Sequence, residues 1–321
     1  MDNLRSTIAA KILSKIPPQV KPIDYLMRSL DISRESVYRR IRGDISFTLE
    51  EMVILSIDLG FSIDELTLKD MHSRMFFDVH VSHDQNPSDI YVSMIEQYFQ
   101  SIFDAPHEKE IETIMITNHV PCRFIVFFNH LLKFTYYRWM HQHLESSLKY
   151  CYSDVVMPEK LIYLQQKIIH NFKKFRNNTL ILDSNFFQNL ILEIQYYYKR
   201  KLINDNELAL IKEDLLRLIN MIESIAQNGY FDYESKYDFY LSSLHVESTS
   251  QIIRYDNQMK LRFHINSTEP ITITNVNLCI MHKKWLDSMR KYSTLISQSN
   301  EILQAKYFFK QRSLIEKISE I

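Results

Sequence analysis

The stretch Asp31-Ile32-Ser33-Arg34-Glu35-Ser36-Val37-Tyr38-Arg39-Arg40-Ile41-Arg42-Gly43-Asp44 places four arginines, a helix start and a helix stop within fourteen residues. Ser33 can cap a helix by accepting a hydrogen bond from a first-turn amide, and Gly43 suits the left-handed residue just past the last turn. Val37 and Ile41 stand four apart and share one face, which leaves Arg34, Glu35, Tyr38, Arg39 and Arg42 pointing elsewhere. A short, capped helix with an apolar inner edge and a basic outer one has the form of a DNA recognition helix.

Working outward, Leu4, Ile8, Ile12 and Ile16 recur every four residues, an amphipathic helix closed by Pro17-Pro18. Pro22 suits the first position of a second helix, whose apolar residues are Ile23, Leu26, Met27 and Leu30. Only a short connection separates it from the recognition stretch, the size of the turn in a helix-turn-helix. Downstream, Thr48-Leu49-Glu50-Glu51 is a capping box opening a helix through Met52, Leu55, Ile57 and Leu59 to Gly60. A second box, Ser62-Ile63-Asp64-Glu65, opens one more turn. Caps, stops and periodicity agree on five helices within residues 1–68.

This segment resembles the lambda repressor and Cro (XRE-class) helix-turn-helix domains over about residues 4–67. The resemblance rests on Leu26, Leu30, Ile32, Val37 and Ile41, on Gly43, and on the runs Leu49 to Met52 and Asp58-Leu59-Gly60-Phe61-Ser62-Ile63-Asp64-Glu65-Leu66. Two family preferences are broken: Met27 stands where a small residue is usual, and Asp31 where the turn glycine is usual. Asp tolerates a left-handed backbone better than most residues, so the turn is expected to form. The resemblance implies that Arg34, Glu35 and Arg39 face base edges in the major groove. There Arg can bridge guanine O6 and N7, and Glu can accept from cytosine N4. Lys21, Ser33, Tyr38, Arg40 and Arg42 are expected on phosphates, where they set register.

Charge agrees with a local interface. The whole chain of 321 residues carries a net charge of -1, so no bulk attraction to nucleic acid is expected. From Lys11 to Arg42, however, eight basic residues face three acidic ones, a balance of +5, whereas Asp44 to Glu65 holds six acids and no base. Three scattered cysteines (Cys122, Cys151, Cys279) indicate neither a disulfide framework nor a zinc site. Charges near the N-terminus and the lack of a long apolar run predict a soluble, cytoplasmic protein without a signal peptide or membrane span.

Residues 69–88, with Asp84, Asn86 and Pro87, read as a linker, and 89–321 as a larger, mainly helical domain. Its expected helices are Asp89–Phe103 capped by Ser88, one from Pro121 through Phe124, Leu131 and Trp139 to Met140, Glu159–Phe175, Asn185–Leu202, and Asn206–Asn228 capped by Asp205 and stopped by Gly229. About Asn277–Ser297 and Asn300–Ile318 complete the set. Between residues 237 and 274, short β-branched and aromatic runs separated by polar clusters predict a small antiparallel sheet inserted among helices. The predicted fold class is therefore mainly α with a small antiparallel β insertion.

Motifs for chemistry are few. His141 and His143 lie about 200° apart on a helix, too far for one metal, so no metal or cofactor is expected. Three glycines in the chain supply no phosphate loop, and His245, His264 and His282 accompany no Gly-x-Ser-x-Gly turn, so no enzyme is expected. Tyr196-Tyr197-Tyr198-Lys199-Arg200-Lys201 reads as half-buried tyrosines followed by a cationic helix end, with a basic-aromatic surface that touches nucleic acid as the lesser alternative. The function expected is a DNA-binding transcriptional regulator. It would bind a double-stranded operator as a homodimer through its head, and its body would dimerise and sense an effector, the class left open between a small molecule and a peptide. A tetratricopeptide body is disfavoured by the lack of a repeat period. The alternative is a protein-interaction module or scaffold with a degenerate helix-turn-helix head.

Overall fold

The computed structural model describes residues 2–17, 20–59, 61, 63, 86–105, 110–143, 149–256, 258–264 and 270–319. The chain divides into two compact units, Met1–Phe77 and Asp78–Ile321. The first unit contains α1 (Asp2–Lys15), α2 (Pro22–Leu30), α3 (Arg34–Ile41) and α4 (Leu49–Leu59). The expected fifth helix falls largely outside the described residues, as does the linker up to residue 85. The core of this unit is built from Ile12, Ile16, Leu26, Val37, Met52, Leu55 and Phe61, with Met27, Leu30, Ile32 and Ile41 packed against it.

The second unit overturns the expectation of a mainly helical body with a small antiparallel insertion. An eight-stranded mixed sheet runs through it. Its strands are β1 (Ile111–Thr117), β2 (Phe175–Leu182), β3 (Tyr230–Phe231), β4 (Ser235–Ser242), β5 (Ser250–Tyr255), β6 (Gln258–His264), β7 (Pro270–Ile273) and β8 (Ser293–Leu295). The order is β3-β4-β2-β1-β5-β6-β7, with β8 also pairing β4. β1 is parallel to β2, and β2 to β4. β5, β6 and β7 form an antiparallel meander that joins β1 through β5.

Only the meander and β4 lie where strands are expected. β1, Ile-Glu-Thr-Ile-Met-Ile-Thr, and β2, Phe-Arg-Asn-Asn-Thr-Leu-Ile-Leu, are central and parallel, and such strands are covered on both faces and lose the alternation that marks a half-exposed one. Each parallel connection is long enough to carry helices. Between β1 and β2 run α6 (Cys122–Ile125), α7 (Asn129–His143) and α8 (Glu159–Asn171); between β2 and β4 run α9 (Gln188–Lys199) and α10 (Asp205–Asn228).

The period-2 pleat sorts the sheet into two cores. One face contributes Ile111, Met115, Leu180, Leu182, Phe239 and Ile253 to the larger cluster, shared with α5 (Pro87–Asp104), α7, α10 and α12 (Glu301–Glu316). The other face contributes Ile114, Ile116, Ile181, Ile252, Leu261 and Ile273 beneath Leu278, Cys279 and Leu286 of α11 (Val276–Lys291). The unit is thus α/β, a sheet between helical layers.

Helix ends follow local chemistry and depart from expectation. The helix expected over Pro121–Met140 is two, α6 and α7. α8 stops at Asn171 ahead of β2, and α11 (Val276–Lys291) stops at Lys291 because Ser293–Leu295 pairs as β8. Asn86, not Ser88, caps α5, accepting from Ser88 N at 2.9 Å with Pro87 in the first turn. Asn204, not Asp205, caps α10 in a reciprocal box with Glu207. Leu208, Ile211, Leu215, Leu218, Ile222 and Ile225 form the buried stripe of α10. Among the described residues no helix is long and apolar enough to cross a membrane.

Asp183 closes the carboxyl end of β2. Its buried carboxylate accepts from Asn185 N and Val246 N, both at 2.8 Å, and lies 3.3 Å from His245 Nδ1. Asp183→Ala strands two backbone donors, each hydrogen bond to a charged group contributing about 1.5–3 kcal/mol. The variant is expected to lose about 2–5 kcal/mol in urea unfolding followed by circular dichroism; a loss under about 0.5 kcal/mol would show that the carboxylate does not tie β2 to the loop before β5.

Candidate nucleic-acid interface

α2 and α3 are joined through Asp31, Ile32 and Ser33. Asp31 takes φ 50° and ψ 47°, the left-handed turn conformation expected at this position. Ser33 is extended, and its Oγ accepts from Ser36 N at 3.3 Å, so one orphan amide of α3 is satisfied. At the other end Gly43, at φ 81°, donates to Arg40 O at 3.0 Å and Asp44 donates to Arg39 O at 2.9 Å. These are the paired bonds of a Schellman stop. Both ends of an eight-residue helix are therefore fixed by the motifs legible in its sequence.

The inner edge of α3 is Val37, fully buried, with Ile41 partly buried beside it. At 100° per residue the opposite side carries Glu35, Tyr38, Arg39 and Arg42. All four are exposed, as are Arg34 and Ser33 at the N-terminal end and Lys21 ahead of α2. Arg42 Cζ lies 5.8 Å from the Tyr38 ring centroid, a cation–π pair that aligns two of the expected phosphate ligands.

Arg40 differs from its neighbours. Its Nε and Nη2 donate to the two carboxylate oxygens of Glu51 at 2.8 and 2.5 Å, and Nη1 donates to Ser36 O at 3.3 Å. Glu51 is also the third residue of the Thr48 capping box, accepting from Thr48 N at 3.0 Å while Glu51 N donates to Thr48 Oγ1 at 3.2 Å. One carboxylate thus caps α4 and clamps α3. The two side chains are 12% exposed each, so the fork is shielded from water and salt. The capping box is visible in sequence; its second use is not, because Arg40 and Glu51 meet only when α3 packs against α4.

The other candidate features fall into structural roles. Tyr197 is buried, Tyr198 Oη donates to Asp205 at 2.9 Å, and Arg200 lies over the Tyr196 ring at 5.4 Å. Among the described residues no group of three or more His, Cys, Asp or Glu is placed to hold a metal ion. No family model, no curated protein and no solved structure matches the chain.

A double-mutant cycle over Arg40→Ala and Glu51→Ala, read by hydrogen exchange of the α3 amides, is expected to return a coupling of about 0.5–3 kcal/mol. Strictly additive losses would show that the pair does not hold α3 against α4.

Proposed function

We propose that the chain is a sequence-specific DNA-binding regulator whose N-terminal unit inserts α3 into the major groove. The observation that carries this reading is the outer face of α3, exposed and arginine-bearing on a helix fixed at both ends behind a left-handed turn. Arg34, Glu35 and Arg39 read base edges, while Lys21, Ser33, Tyr38 and Arg42 hold phosphates. Arg40, engaged by Glu51, acts first as a positioning residue. One such unit covers a single half-site, so the operator-bound form is a homodimer.

A second reading, a protein-interaction module, draws support from α4, which leaves Leu49, Val53 and Ile57 exposed at 71%, 41% and 75%. The two readings differ in their response to salt. DNA binding through several phosphates weakens steeply and linearly in log salt. An interaction module has no DNA affinity to lose.

The test starts from duplexes selected out of a random library and titrated by fluorescence anisotropy. Arg39→Ala is expected to weaken binding to the selected duplex by about 1–3 kcal/mol and to relax preference at one position. Lys21→Ala is expected to weaken all sequences alike and to lower the salt slope by about 1. Failure to enrich any duplex at low salt, with the fold intact, would overturn the proposal in favour of the interaction module.

A further inference from the structure

In open α/β sheets, ligands bind in crevices outside the carboxyl ends of the strands. β1 ends beside parallel β2 and the start of antiparallel β5. At its carboxyl end lies a cavity of about 500 Å³, within the range of about 300–1,000 Å³ that small-molecule sites occupy. One wall is apolar, from Val120, Ile125, Leu190 and Leu192. The other is polar, and its members brace one another. Thr249 Oγ1 lies 3.1 Å from His119 Nδ1, Asn118 Nδ2 donates to Glu247 O at 3.2 Å, and Asn189 Nδ2 donates to Asn118 O at 3.3 Å. Arg138 and Glu193 form an ion pair on the same rim.

His264, at the end of β6, completes the wall. Its ring stands 5.4 Å from that of Tyr98 and 5.9 Å from that of His119. Neither ring nitrogen reaches solvent or a hydrogen-bond partner. Burial, with His119 and Arg262 alongside, pushes its pKa down to about 3, so the imidazole is neutral, one donor and one acceptor. A buried polar group left unbonded costs stability, and leucine at the same place would not incur that cost.

The chemistry of the lining selects the ligand. Its formal charges are Arg138 against Glu193 and Glu247, so the site does not attract an anion. Amides and a guanidinium–carboxylate pair offer both donors and acceptors, which matches hydroxyl groups, each both donor and acceptor. The apolar wall fits the C–H face of a sugar ring. We propose that this cavity binds a small neutral molecule bearing vicinal hydroxyls, a monosaccharide or the ribose of a nucleoside, recognised by Asn118, Asn189 and the Arg138–Glu193 pair. The site lies wholly in the C-terminal unit and its occupation is measured without DNA, so its failure is distinguishable from failure of the DNA-binding reading.

The full-length chain is to be probed by saturation-transfer NMR and thermal melting with D-ribose, D-glucose, D-galactose, adenosine and uridine, with inorganic phosphate as the anion control. Saturation transfer to at least one polyol, with a rise in Tm, is expected. Transfer to nucleosides alone assigns the ribose source, and transfer to free sugars assigns the monosaccharide. His264→Leu is expected to raise the ligand-free Tm by about 2–4 °C and to leave transfer in place, since the ring nitrogens it removes do not open to the cavity. Asn189→Leu, on the rim, is expected to weaken binding at least 10-fold with the ligand-free Tm unchanged. Silence from all five polyols, preferential binding of phosphate, or an Asn189→Leu variant that binds as before would overturn the proposal.

Discussion

A peptide group taken out of water must find a hydrogen-bond partner, and β1 is buried along all but one of its seven residues. That constraint organises the C-terminal unit. β1 satisfies its backbone by pairing on both flanks, with β2 and β5, and its side chains by facing a core on each side. Parallel pairing with β2 then requires a long return, which α6, α7 and α8 supply, and the same requirement between β2 and β4 places α9 and α10. The helical layer is thus a consequence of the parallel strands. The cavity at the end of β1 is a consequence of both, because the connections leave the sheet there.

Among the described residues, the region between the sheet and α5 is held by cations bonded to carbonyl and hydroxyl oxygens rather than to carboxylates. Lys174 Nζ donates to Ala105 O at 2.7 Å and Ile102 O at 3.1 Å, and Arg262 donates to Tyr98 O and, at 2.9 Å, to Ser101 Oγ. Two of these acceptors, Ile102 O and Ala105 O, are carbonyls at the end of α5, where the helix dipole is negative and the last carbonyls have no partner within the helix. Burial lowers the pKa of Lys174 and of Arg262 from their ordinary values, and the carbonyls offset that desolvation. Arg123, also buried, sits 5.3 to 5.7 Å from the rings of Phe124, Phe175 and Tyr237. These contacts fix α5 and β6 in place behind His264, which packs against Tyr98 of that same helix end.

Much of the head was legible because its signals are local. Ser33, Asp31 and Gly43 act within four residues of their own backbone, and each does in the fold what its type allows: cap, left-handed turn and stop. The Arg40–Glu51 clamp was not legible, since eleven residues separate two charges that sequence reads as a phosphate ligand and half of a capping box. In the body the stripe of α10 and the meander strands were readable from period 3.6 and period 2. β1 and β2 were not, because a strand covered on both faces shows no period.

Sequence alone thus determined where α3 begins and ends and how α4 is capped, which residues of α3 turn away from its core, and that basic charge gathers between Lys11 and Arg42 rather than over the whole chain. These are properties of neighbours along the chain, set by backbone sterics, capping and side-chain spacing. Tertiary structure decided the rest: that the body is α/β and not mainly helical, that Arg40 belongs to Glu51, and that Asn118, Asn189 and His264 meet at one cavity. Strand pairing and side-chain convergence join residues far apart in sequence, and the free energy that selects such partners arises only when the whole sheet and its covering helices bury their apolar faces together.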